Sequence, residues 1–152
     1  MTVSNNKSNS TNILNKGGSK PIMLHVNDSY AWNSLNEITP ILNTLSMSSV
    51  PIYGIIDAIT NDLTLVYLLP CFKIMMYKYS YIVLDFLKNM DTSAYKFEDS
   101  VHNTLEMRKT VTNVFTKYSK LPMTIINNLF KDRFIIKPNE AKRYGLCHYI
   151  LD

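Results

Sequence analysis

The sequence predicts an α/β layered domain built from repeated strand-helix units. Three observations predict it. Short apolar runs rich in β-branched and aromatic residues, each bounded by turn residues, occur at Pro21 to Asn27, Val50 to Ile56 and Tyr79 to Phe86. Between them, apolar residues return at three- and four-residue spacing, the mark of one helix face. The chain has 152 residues and is 46% hydrophobic, which suffices for one core and leaves no room for a second domain.

Taken in order, Met1 to Asn12 is rich in Asn, Ser, Thr and Lys with almost nothing to bury, so residues 1–14 are expected to be a disordered polar tail and 15–152 the domain. Lys16-Gly17-Gly18-Ser19 reads as a turn. The run from Pro21 to Asn27 reads as a strand buried on both faces, with His25 a satisfied core histidine rather than a ligand. Asn27-Asp28-Ser29 has cap chemistry, and Leu35, Ile38, Ile41, Leu42 and Leu45 then share a helical face. Pro40 either kinks that helix or moves its start to about Thr39. Gly54, inside the strand from Val50 to Ile56, sits where a side chain would crowd a neighbour.

Asn61 to Leu69 is expected to be a buried helix stopped by Pro70, and Tyr79 to Phe86 a strand. Lys88 to Lys96 is polar and irregular. The longest helix is expected from Asp99 to Tyr118, with Val101, Leu105, Arg108, Val111, Phe115 and Tyr118 on one stripe. Leu121-Pro122 ends it, and Thr124 to Phe130 gives a further short helix. In Lys131 to Leu146, KDRFIIKPNEAKRYGL, the order of residues is most informative. Ile135-Ile136 reads as a short buried strand. Pro138 opens a brief helix over Glu140 to Tyr144, and Gly145 ends it where a left-handed residue is wanted. The last strand lies within Leu146 to Leu151.

Several function classes are excluded or disfavoured. The formal charge is +4, an excess without any Lys/Arg block, which argues against a nucleic-acid binder. Cys71 and Cys147 lie in apolar surroundings without CxxC or Cys/His spacing, as expected of two free buried thiols in a reducing compartment rather than of a disulfide or metal site. No metal and no cofactor is expected. The apolar run from Leu63 to Phe72 is about half the roughly 20 residues of a membrane helix, so no span is expected. The first dozen residues lack the apolar centre of a secretory signal.

The order of aspartate, strand, short helix, Gly and final strand in Asp132 to Leu151 resembles the C-terminal end of the proteolytic subunit of the Clp protease, ClpP. From Asn27 onward the chain lines up with that family, ungapped to Asp85 and with two small length differences after it. About nine-tenths of the chain is covered. The resemblance implies the ClpP/crotonase-like layered fold, with the Asp99 to Tyr118 helix as the handle through which two heptameric rings pack. It places the nucleophile position at Thr60, the histidine position at Asp85 and the triad aspartate at Asp132. The glycines of the family's oxyanion loop are replaced by Tyr30 and Ala31, where a Cβ keeps the backbone amides from a developing oxyanion.

A serine-type peptidase needs a base that accepts the hydroxyl proton near neutral pH, and a carboxylate at Asp85 is poorly suited to it. The resemblance therefore implies a non-catalytic paralogue of the kind called ClpR, a structural subunit of a mixed ring. Its implied partners are other Clp proteolytic subunits, an AAA+ Hsp100-type chaperone and unfolded protein substrates. Tyr95 and Phe97 are candidate interface residues. Two alternatives stand beside it: an active, divergent subunit using Thr60, and a free-standing crotonase-like binding module. The abundance of Asn, Ile, Lys and Tyr fits an AT-rich genome, and with the ClpR likeness points to a plastid compartment, the cytoplasm and mitochondrial matrix being alternatives.

Overall fold

The computed structural model describes residues 20–27, 35–86 and 97–152, of which 35–38 and 97–104 are described by their backbone. Seven strands and five helices alternate along these residues. They are β1 (Ile22–Val26), α1 (Leu35–Ser46), β2 (Ile52–Ile56), β3 (Ile59–Asn61), α2 (Asp62–Leu68), β4 (Lys73–Tyr77), β5 (Tyr81–Leu84), α3 (Phe97–Tyr118), α4 (Met123–Asn128), β6 (Phe134–Ile136), α5 (Pro138–Arg143) and β7 (Tyr149–Leu151). The α/β layered fold follows, as the alternation predicted. Strands β1, β2, β4 and β7 form one parallel sheet in the order β1-β2-β4-β7. A smaller sheet has β5 between a parallel β3 and an antiparallel β6.

Register decides what the larger sheet buries. Leu24, Gly54 and Ile74 form one row, and Val26, Ile56, Met76 and Ile150 the next, all on the face turned to the helices. Gly54 is required there, because a Cβ would come within 3.1 Å of Leu68 Cδ2. The opposite face carries Met23, Tyr53, Met75, Tyr77 and Tyr149, half-buried to exposed. Two-sided burial of β1 is thus not found: it is an edge strand and Met23 is 44% exposed. His25 is likewise half-exposed rather than a core residue, although its ring is satisfied by Asp57.

Every residue of helix α2 is buried, Asp62 and Thr64 among them, with α1, α3, β3 and β5 packed against it. Pro70 follows it as expected. Pro40 lies inside α1, which begins at Leu35, so the start is not displaced to Thr39. Two strands escape the sequence pattern. Both β3 and β4 are in place where only a helix start and an interrupted apolar run were read.

The long helix α3 buries Met107, Val111, Val114 and Phe115. That face is rotated from the expected stripe, since Leu105 is 58% exposed and Arg108 is exposed too, its guanidinium over the Phe130 ring. Phe115 and Phe130 both contact Phe86, which is fully buried and anchors the end of β5. Pro138 is the first residue of α5, and Gly145 ends the turn after it with φ +68, as the sequence required. Cys71 and Cys147 are free and buried.

Candidate functional site

Strand pairing in the small sheet fixes where Thr60, Asp85 and Asp132 lie relative to one another. β3 runs straight into α2, and parallel pairing of β3 with β5 sets Thr60 opposite Ile82. Antiparallel pairing of β5 with β6 sets Leu84 opposite Phe134. The carboxyl ends of β3 and β5 therefore meet the start of β6. By this register Thr60 shares a row with Ile82 and Ile136, while Asp85 lies one residue past the Leu84–Phe134 row and Asp132 two residues before Phe134, so the two aspartates are at that end of the small sheet and Thr60 is in a different row.

At the start of α2, Asn61 is the cap, with extended backbone and a side-chain oxygen that accepts the Thr64 N–H at 3.0 Å. The next residue, Asp62, is only 3% exposed. Its Oδ1 accepts the Leu63 N–H at 2.7 Å and its Oδ2 the Asp85 N–H at 3.3 Å. A buried carboxylate needs such donors, and here they join the helix start to the end of β5.

Thr60 is fully buried, and its Oγ1 has no hydrogen-bond partner among the described residues. A nucleophile needs both a base at hydrogen-bond distance and a path to substrate. This hydroxyl has neither in the arrangement described. Asp85 lies between buried Leu84 and buried Phe86, and its Oδ2 is 3.8 Å from Arg133 Nε. The pair is lopsided: the Asp85 side chain is 15% exposed and that of Arg133 55%. Asp132 is exposed, its backbone N–H donating to the Asn128 carbonyl at 2.9 Å.

The described imidazoles are engaged elsewhere. His25 Nδ1 lies 3.1 Å from Asp57 Oδ1. His148 Nδ1 accepts the Ile74 N–H at 3.0 Å, which requires that nitrogen to be unprotonated. Burial and the neighbouring Lys73 hold His148 below the usual histidine range. Tyr30 and Ala31 lie outside the described residues, as do Tyr95 and the side chains of Phe97 and His102. No group of three His, Cys, Asp or Glu among the described residues could hold a metal ion. No helix among them is long and apolar enough to cross a membrane.

Sequence reasoning missed Arg133 and Asp62. The signal for Arg133 is the D-R-F step itself, which sets a cation directly beside the aspartate. The signal for Asp62 was an acidic residue in a first helical turn, which reads equally well as a solvated cap.

Solved structures match the chain over most of its length. One is a point mutant of ClpP1 from Listeria monocytogenes, with a TM-score of 0.72 at 14% identity, covering 89% of this chain and 75% of that one. The fold is that of ClpP. A peptidase from Plasmodium falciparum matches with a TM-score of 0.67 at 19% identity, covering 88% of this chain and 79% of that one. No family model matches the sequence, and no curated protein does. At these identities the ClpP likeness is one of fold, and the side chains carry the rest.

Proposed function

We propose that this chain is a non-catalytic, architectural subunit of a Clp-type proteolytic ring. One observation carries the reading: where a ClpP-like peptidase would need an imidazole beside a reachable hydroxyl, Asp85 is held by Arg133 and the Thr60 hydroxyl is fully buried. Replacing the base alone costs such enzymes several orders of magnitude in rate, so fold without base leaves assembly as the task. The outer face of the larger sheet supports the same reading. Its exposed apolar residues, Met23, Tyr77 and Tyr149 among them, are of the kind that a neighbouring subunit covers.

In this role the chain takes positions in a mixed heptameric ring and contributes α3 to stacking between rings. Active Clp subunits are its neighbours, an AAA+ chaperone docks on the assembled ring, and unfolded proteins pass through it. The compartment is a plastid, which imaging of the tagged chain would check. Sedimentation of the chain alone and mixed with active subunits tests the assembly. Co-migration with the ring is expected, and a persistent monomer would leave the free-standing binding module in its place. Peptide cleavage by the assembled complex that disappears in Thr60→Ala would instead restore the active-subunit reading.

A further inference from the structure

The positive charge of this protein is concentrated in its last third. Residues 105–152 carry nine Lys/Arg against four Asp/Glu, while residues 20–86 carry three against five. All nine bases are exposed. Ion pairs among the described residues engage two of them, Arg133 with Asp85 and Arg143 with Glu140. The other seven, Lys120 and Lys142 among them, have no acidic partner there.

Two of these charges, Lys120 and Lys142, lie near the segment that leads into β7. The His148 N–H donates to the Ile74 carbonyl at 2.7 Å, and the Ile74 N–H to His148 Nδ1 at 3.0 Å, so the segment before β7 is laid against the start of β4, beside Lys73. From the other side the Lys120 N–H donates to the Tyr144 carbonyl at 2.7 Å, and its side chain covers Gly145. Lys142 stands in the last turn of α5. β7 itself is the outer strand of its sheet, paired only with β4 among the described residues, and Tyr149 on it is 53% exposed.

We infer that the open edge of β7, with Lys73, Lys120 and Lys142 beside it, is a docking site for an extended acidic peptide segment of a partner protein. A free strand edge offers N–H and C=O groups in the register of another polypeptide, and the ammonium groups supply charge complementarity to its Asp or Glu side chains. Nucleic acid or an anionic membrane would use the charges but not the edge, which is why a polypeptide is the better fit. The fields of Lys73 and Lys120 also act on His148, pushing it toward its neutral form. The inference does not rest on the ring reading, whose sedimentation test leaves this edge untouched.

The probe is a fluorescent 12-residue peptide of alternating Glu and Val, with binding to the full chain read by anisotropy. Binding is expected to weaken about tenfold between about 50 and 200 mM salt, as charge pairing at an exposed surface does. Lys120→Glu with Lys142→Glu should weaken it about tenfold or more, Lys120→Arg with Lys142→Arg should retain it, and Lys131→Glu should leave it unchanged. The same peptide N-methylated at alternate residues should lose binding, because it cannot pair with an edge. Absence of binding at low salt, indifference to the double charge reversal, or full binding by the methylated peptide overturns the site. Tighter binding of an oligo-dT or of vesicles rich in anionic lipid overturns it as well, since either would make the surface a generic polyanion site.

Discussion

The Thr60 hydroxyl is fully buried and has no partner among the described residues, an energetic cost that valine would not carry. Thr60→Val keeps the shape and removes the desolvated polar atom, so it should raise stability by about 1 kcal/mol in denaturant titrations. A substantial loss of stability would mean that the hydroxyl has a partner in the folded protein. Asp62 presents the reverse case. Asp62→Ala leaves the Leu63 and Asp85 amides without their acceptor and should cost about 2–3 kcal/mol, while Asp62→Asn, which keeps one oxygen, should cost less. The burial of the Thr60 hydroxyl was not legible in the sequence, because β3, the strand that carries it, has no pattern of its own there. Nor was the role of Asp62, because it depends on which distant amide passes its second oxygen, and that is set by the β3-β5 pairing.

Local chemistry was most legible where one element ends and the next begins. Pro138 at the first position of α5 and Gly145 beyond its end follow from backbone sterics alone. Gly145→Ala should therefore destabilise by about 1–2 kcal/mol, combining the left-handed backbone with a new contact against the Lys120 amide. Less legible were β4, a short apolar run interrupted by Lys73 and Lys78, and the face of α3. Helical spacing gives a stripe, but which of two adjacent stripes is buried depends on what lies across from it, here Phe86 and Phe130. The β4-β7 seam carries a pH dependence of its own. His148 is held below its usual range in the folded state, so the unfolded chain takes up the proton first. Its contribution is complete above about pH 6.5 and is lost as pH falls through that value toward the folded pKa. Urea midpoints at about pH 7.5 and 5.5 should therefore differ more in the wild type than in His148→Gln.

At the scale of the molecule, the two sheets share one core. The buried cluster runs from Val26 and Met76 in the larger sheet, through α2, to Ile82 and Ile136 in the smaller one and Cys147 beside β7. Nothing in that cluster marks a plane along which one sheet would open without the other, so unfolding should be a single cooperative event. The two cysteines test this directly. Burial pushes the Cys71 thiol up to about 12 and the Cys147 thiol up to about 11, the latter despite the opposing pull of Lys142. Neither offers appreciable thiolate at pH 8 while folded, and each is shielded by a different part of the core. Labelling with a thiol reagent across a urea series, read residue by residue by mass spectrometry, should give both cysteines the same midpoint. That midpoint should coincide with the loss of helical circular dichroism. Earlier labelling of Cys147 would mean that α5 and β7 detach before the sheets separate, which would also place the basic β7 edge on a separately opening unit.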